Sequence, residues 1–216
     1  MKFTSLGGLV TELELLGWAA QAVHDRMEHA LRRFYDDMRG ELARELAALA
    51  DEDFAEIVGR SRETSTHYKW SLMDDPANDF KIWLHEYKDG AHRGSGYARS
   101  IHNHRYPLSS LILYGSYKHT KLAIDDMSEQ SRRLRITTEQ KLDPGSVYTI
   151  TTNELHSISD IRDHTITLVV QHRTIRSFSI SIDPQSLRTI RHYPIEERHV
   201  NLRECLEPAG ERASGS

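Results

Sequence analysis

The sequence predicts a mainly β protein, a barrel or sandwich, preceded by a helical extension. From residue 64 onward, short segments rich in Thr, Tyr, Ile, Val and Trp alternate with turn sequences, which is typical of strands. Before that point, apolar residues recur every three or four positions, which is the period of an amphipathic helix. The composition, 38% hydrophobic and 28% charged, is that of a chain that folds around a core.

The helical extension occupies residues 1–63. Its periodicity predicts a first helix from Leu9 to Met38 and a second from Glu41 to Val58. Gly40 is expected to separate the two helices and Gly59 to end the second. Both helices are apolar along one face, so we expect them either to pack on the barrel or to form a homodimer interface.

Eleven short strands are predicted in residues 64–194, separated by turn sequences such as Asp89-Gly90. Strands this short and this numerous indicate a two-sheet or closed architecture. A charged tail, residues 195–216, is expected to fray. The predicted strands span 66–73, 80–87, 99–104, 109–114, 117–124, 132–139, 146–151, 156–161, 165–173, 178–182 and 187–192.

Charge and cysteine content exclude several classes of partner. With 28 basic and 32 acidic residues, the net charge is −4, so no basic excess exists to neutralise nucleic acid or an anionic membrane. The single cysteine, Cys205, cannot pair within one chain, and the N-terminal stretch lacks a signal-peptide cleavage pattern. We therefore expect a cytoplasmic protein whose partner is a small-molecule substrate, with no nucleic acid and no membrane.

Histidine is the unusual residue, with 13 copies in 216 positions. His102 and His104 lie two apart on a predicted strand, so both side chains point to the same face and could reach one ion. His156 begins another predicted strand and could supply a third ligand. An H-x-H pair alone is weak evidence for a metal site, and ordinary strand histidines are the alternative.

Two longer patterns strengthen the metal hypothesis. The segment from Gly145 to His156 resembles the second motif of the cupin superfamily, and His102-Asn-His104 followed by Gly115 resembles the first. Thr151 and Asn153 replace the family's Pro and Gly in the intervening turn. The resemblance covers residues 64–183 and implies a cupin β-barrel, that is, a double-stranded β-helix or jelly roll.

One departure from the cupin pattern concerns the ligand set. The first cupin motif usually supplies a glutamate four or five positions after its second histidine, where this chain has Leu108 and Ser109. The resemblance therefore implies three neutral histidines and no acid, a set suited to an anionic ligand such as a thiolate or enolate and then O2. Fe(II) is the metal so implied, although Ni, Co, Mn and Zn also occupy imidazole sites.

Within the superfamily, the chain most resembles the cysteine (thiol) dioxygenase group. Ser100-Ile-His-Asn-His104 is similar to that group's first motif, and the segment from Leu155 to Leu168 is similar to its sequence around the third histidine. The resemblance implies O2-dependent oxidation of L-cysteine or a derivative. The product would be a sulfinic acid, or a rearranged product such as a sulfonamide in a specialised biosynthetic pathway.

Other family features have no counterpart. Ser109 stands at the position where a cysteine cross-linked to tyrosine can occur in the group, and the late strand from Leu168 to Arg173 contains no tyrosine. No such cross-link can form, and the group's serine–histidine–tyrosine relay has no clear counterpart. Gln171, His172 or Arg173 could occupy the relay position.

Further candidates follow from position and side-chain chemistry. Tyr106 and Tyr114 flank the first motif and could donate a hydroxyl proton near bound oxygen. The arginine that grips the substrate carboxylate in the family could be replaced by Lys69, Arg99 or Arg173. The neighbouring strands offer two further pairs of substrate-binding candidates. For Tyr68 and Trp70 the alternative is core packing, and for Trp83 and His85 it is a half-exposed aromatic pair. Four histidines among charged residues are expected on the solvated surface: His119, His164, His192 and His199.

Two other functions remain open at this level. A three-histidine cupin could instead cleave a carbon–carbon bond in a diketone or phenolic acid, which predicts an apolar or aromatic pocket. A cupin could also bind a small molecule without turnover, with its helices serving as a partner interface.

Overall fold

The computed structural model describes residues 3–15, 22–90, 100–128 and 131–194. Three residues and one segment singled out above lie outside these ranges: Arg99, His199, Cys205 and the tail 195–216.

Among its described residues, the N-terminal extension contains three α-helices, whereas two were predicted. A short 3-10 helix, Thr4–Leu6, leads into α1 (Gly7–Glu14), and α2 (Ala22–Ala47) and α3 (Asp51–Arg60) follow. The expected break at Gly40 is wrong, because one glycine costs a helix only about 1 kcal/mol and the buried apolar face of α2 continues past it to Leu42. The break lies instead between α2 and α3, and α3 includes Gly59.

All eleven predicted strands are present among the described residues, with ends shifted by a few positions. A two-residue strand, β1, was not predicted. The strands are β1 (Arg62–Glu63), β2 (His67–Asp75), β3 (Phe80–Tyr87), β4 (Ile101–His102), β5 (Leu108–Tyr114), β6 (Tyr117–Ser128), β7 (Ser131–Leu142), β8 (Val147–Ile150), β9 (Leu155–Ser159), β10 (Ile166–His172), β11 (Ser179–Ile182) and β12 (Thr189–His192).

The strands form two six-stranded antiparallel sheets, and their order defines the fold. One sheet has the order β1-β2-β3-β10-β5-β8 and the other β12-β11-β4-β9-β6-β7. If the eight strands from β3 to β10 are numbered 1 to 8, one sheet contains the order 1-8-3-6 and the other the order 2-7-4-5. These orders are those of the two Greek keys of a jelly roll. The predicted mainly β, jelly-roll barrel is confirmed.

The two faces of the first sheet contribute to two different hydrophobic cores. On β3, Ile82 and Leu84 belong to the core shared with the helices, whereas Trp83 and Tyr87 belong to the core inside the barrel. This follows from the two-residue alternation of a strand. Because α2 contacts β5 and β8, the helices cover the outer face of this sheet. The candidate metal-binding histidines lie on the opposite side, in the interior of the barrel. Among the described residues, no helix is long and apolar enough to cross a membrane.

Candidate metal centre

His102, His104 and His156 converge inside the barrel. Each offers a ring nitrogen, and these three atoms lie within 4.8 Å of one another. His102 on β4 is the direct cross-strand partner of His156 on β9, and His104 follows two residues later. The Nε2 atoms of His104 and His156 are 2.9 Å apart.

This arrangement fits a metal ion. Two imidazole nitrogens bound at about 2.1 Å and at right angles to each other would be separated by about 3 Å, which matches the distance between His104 and His156. Burial lowers the pKa of all three histidines, and for His104 and His156 nearby positive groups lower it further. The rings are therefore neutral, the form that binds a metal. His102 Nδ1 lies 3.2 Å from the Ser100 carbonyl, to which it can donate.

The carboxylate of a typical cupin site is absent from this cluster. Leu108, at one of the two expected positions, lines the cavity with an apolar side chain. Ser109, at the other, places its hydroxyl 2.8 Å from that of Thr149. Among the described residues, the cluster consists of histidines alone.

A cavity of about 280 Å³ opens on the three histidines. Lys69 and Arg105 contribute positive charge to its wall, and no Asp or Glu is among the described residues that line it. The cavity therefore favours an anionic occupant. Its volume is near the lower end of the range for small-molecule pockets.

Four predicted residues besides the metal ligands line this cavity: Lys69, His85, Tyr106 and Gln171. The ring of Tyr106 stacks on His104 with 5.6 Å between centroids. The side-chain amide of Gln171 is fixed by Trp83, because its Oε1 accepts a hydrogen bond of 3.0 Å from Trp83 Nε1. Trp83 is buried next to the cavity, and Lys69 Nζ lies 4.8 Å from its ring centroid.

Two predicted substrate-binding residues on β2 lie elsewhere. Tyr68 and Trp70 alternate with Lys69, so when Lys69 faces the cavity they face the other side of the sheet. Trp70 donates to Glu86 (2.8 Å) and packs against the helix-side core. Tyr68 is partly exposed under Lys88. Their placement corrects the expectation that they contact a ligand at this site.

Three further predicted residues also lie away from the cavity wall. Tyr114 is 41% exposed, at the helix-side end of β5 and near Arg39. Arg173 is exposed and pairs with Asp79 at 3.6 Å. His172 is buried at the end of β10 but does not line the cavity. The expectation of a catalytic or substrate-binding role at this cavity is corrected for these residues as well.

The sequence interpretation missed His67. Its ring stacks on that of His85 with 4.5 Å between centroids, and both rings line the cavity. Burial, reinforced by the charge of Lys69, lowers the pKa of His67 to about 3, and burial also holds the pKa of His85 well below its usual range. Neither Nε2 has a hydrogen-bond partner among the described residues. The sequence did contain a signal for His67: it lies two residues before Lys69 on the same strand, so the two side chains share a face.

His119 corrects a second expectation. It is 1% exposed rather than solvated, and its Nε2 lies 3.2 Å from Nδ1 of His156. Burial lowers its pKa to about 4. The charged neighbours Lys118 and Lys121 made this stretch look like surface, although its alternation with Tyr117 could have indicated an inward position.

Comparison with known proteins adds only distant likeness. No family model and no curated protein matches the sequence. Among solved structures, oxalate decarboxylase from Bacillus subtilis at pH 4.6 matches 69% of this chain at 16% identity and a TM-score of 0.38, and this chain spans 35% of that one. Ectoine synthase from P. lautus matches 59% at 13% identity and a TM-score of 0.38, with 80% of its own chain covered.

A third solved structure is similarly distant. It is the formate complex of Lactobacillus farciminis oxalate decarboxylase, which matches 69% of this chain at 16% identity and a TM-score of 0.39, with 40% of its own length covered. What this site does therefore has to be inferred from its own residues. Fold and site together define a jelly-roll protein with a candidate three-histidine metal centre in a positively lined cavity.

Proposed function

We propose that this protein is an Fe(II)-dependent oxygenase of the cupin type that uses O2 to oxidise the sulfur of a small anionic thiol. L-Cysteine or a derivative is the proposed substrate. The product is a sulfinic acid, or a rearranged product such as a sulfonamide. The observation that carries this proposal is a cluster of three histidines without a carboxylate, in a cavity that has positive residues and no described acidic residue in its wall.

His102, His104 and His156 would hold the metal. When bound to such a set, Fe(II) would supply a positive charge and the capacity to bring a thiolate and O2 together. The protein holds the three rings by strand pairing between β4 and β9 and keeps them neutral by burial. The same residues would accept Ni, Co, Mn or Zn, so loading is part of the test.

Lys69 would bind the substrate carboxylate. Its ammonium group lines the cavity, against the face of Trp83. His67 and His85 lie in the same wall, and their Nε2 atoms are buried without a hydrogen-bond partner among the described residues. A carboxylate held here would leave the thiol end of the substrate free to reach the histidine cluster.

Two further lining residues would orient the reacting groups. Tyr106 stacks on His104 and offers a phenolic proton within the cavity. Gln171, fixed by Trp83, offers an amide NH2. Apolar side chains in the rest of the wall limit water near the reacting sulfur, among them Leu108, Ile158, Ile161 and Val169.

The test measures oxygen uptake. The protein is loaded with Fe(II) under anaerobic conditions, and L-cysteine and O2 are then added. One O2 consumed per thiol, with a mass gain of two oxygen atoms, indicates a sulfinic acid. His156→Ala is the matched inactive variant, and His164→Ala, which changes an exposed histidine paired with Asp89, is the control.

Other outcomes would overturn the proposal in distinct ways. Turnover of a diketone or phenolic acid, without turnover of thiols, would favour carbon–carbon bond cleavage. Bound iron and bound cysteine without any oxygen uptake would favour a non-catalytic binding protein.

A further inference from the structure

Both ring nitrogens of His156 have partners. Its Nε2 lies 2.9 Å from Nε2 of His104, on the side where the three histidines converge. Its Nδ1 lies 3.2 Å from Nε2 of His119. A histidine that binds a metal through one nitrogen requires a partner for the other, because that partner sets the tautomer and the orientation of the ring.

We propose that His119 is a positioning residue for the metal centre. Its Nε2 accepts a hydrogen bond from Nδ1–H of His156, so that His156 keeps its proton on Nδ1 and presents a free lone pair on Nε2. This inference deepens the proposed function and rests on its metal centre. It concerns a residue outside the three-histidine set.

His119 is itself held rigidly. The ring of Tyr148 stacks on it with 4.3 Å between centroids and 28° between planes. The Tyr148 hydroxyl accepts a hydrogen bond of 2.9 Å from Tyr117. All three residues are buried, so the acceptor nitrogen has little freedom to leave His156.

Strand register supports the same geometry. On β6, His119 pairs with Ile158 and Lys121 pairs with His156. His119 therefore lies two residues along β6 from the residue opposite His156, on the same face, and its ring reaches diagonally to His156 Nδ1. Because this contact comes from backbone pairing, it does not depend on a flexible loop.

The acceptor is a neutral imidazole instead of a carboxylate. An imidazole that accepts a hydrogen bond through Nε2 is uncharged, because the protonated ring has no free lone pair. A carboxylate partner would add negative charge beside the ligand and increase its basicity. The imidazole fixes the tautomer of His156 without reducing the positive charge that the centre presents to an anionic substrate.

Two variants and one control test the positioning role. His119→Phe keeps a ring against Tyr148 but has no acceptor, whereas His119→Gln offers an amide oxygen at similar reach. Thr120→Val alters the next residue of β6, whose hydroxyl contacts Glu139 rather than a metal-site histidine. If circular dichroism shows that His119→Phe is unfolded, His119→Met replaces it.

The first measurement is Co(II) binding, which is detected by calorimetry and by the visible absorption of the bound ion. We expect His119→Phe to lose about 10- to 100-fold in affinity and to shift the Co(II) absorption bands, because the His156 ring is no longer fixed. His119→Gln and Thr120→Val should stay within about threefold of the unmodified protein.

The second measurement needs no metal. In protein labelled with ¹⁵N at histidine, long-range ¹H–¹⁵N spectra distinguish the two tautomers of His156. We expect the Nδ1–H form in the unmodified protein and in His119→Gln, and a mixture of forms in the Phe variant.

The results separate this inference from the proposed function. If the unmodified protein and His156→Ala fail equally to bind Co(II), the metal centre is wrong and the positioning role with it. If the unmodified protein binds Co(II) and His119→Phe binds it equally well with the same absorption and tautomer, only the positioning role is overturned.

Discussion

His102 and His156 face each other directly across the β4–β9 pair, with 4.5 Å between their ring centroids. β4 has only two residues, and Asn103 stabilises its end. The Asn103 side chain donates to the Thr152 carbonyl at 3.1 Å and accepts from the Ile180 amide at 2.7 Å. A buried asparagine therefore connects the end of β4 to β11 and to the turn that precedes β9.

Removal of His156 should abolish metal binding. His156→Ala leaves two of the three ring nitrogens, and we expect the affinity for Fe(II) or Co(II) to fall at least about 100-fold. Metal content after gel filtration and calorimetry check this. His164→Ala is the matched control and should retain full loading, and equal loading of the two variants would contradict the assigned ligand set.

Lys69 should determine selectivity for an acidic thiol. Lys69→Met removes a charged hydrogen bond worth about 1.5–3 kcal/mol, so we expect KM for L-cysteine to rise about 10- to 100-fold, with a smaller change in kcat. Cysteamine, which lacks the carboxylate, should be affected little. Lys81→Met, on the neighbouring strand and paired with Asp74, is the control; a loss equal for both thiols would argue against carboxylate binding.

Acid should destabilise the metal-free protein in part through His67. Burial lowers the pKa of this histidine from 6.5 to about 3, so between these values the unfolded chain binds a proton that the folded chain does not. The free energy of unfolding therefore falls as the pH falls below about 6.5, by up to about 1.4 kcal/mol per pH unit for this group.

His67→Gln isolates that contribution. Urea unfolding of both proteins at pH 7 and pH 5 should show that the unmodified protein loses about 2 kcal/mol more than the variant. The same pH dependence in both would mean that His67 titrates normally in the folded state.

Gly115 should be intolerant of a side chain. Its φ is +75°, and an added Cβ would lie 2.7 Å from Cα of Thr165, whose hydroxyl accepts from the Ser116 amide in the same turn. The left-handed backbone and the overpacking together predict a loss of about 2–4 kcal/mol for Gly115→Ala. Gly59→Ala in α3, which would meet no atom within 4 Å, should instead be stabilising by up to about 1 kcal/mol. Urea unfolding measures both, and a neutral Gly115→Ala would refute the argument.

Much of the architecture is local and could be predicted. Alternating apolar residues and turn dipeptides located all eleven strands, since strand patterning depends on residues within a few positions of one another. The H-x-H spacing of His102 and His104 and the pattern leading to His156 located the candidate ligands for the same reason. The helix boundaries were less accurate, because burial of the α2 face outweighs the weak local preference of Gly40.

The surroundings of the ligands depend on strand register, which only the tertiary structure decides. Two-residue alternation puts Tyr68 and Trp70 on the face of β2 away from the cavity, but nothing in the sequence says which face of β2 is inside. His119 lies 37 positions from His156, and the pairing of β6 with β9 brings the two together. Sequence alone determined the strands and the three candidate ligands; packing of the two sheets decided which side chains surround them, because those contacts join residues that are distant along the chain.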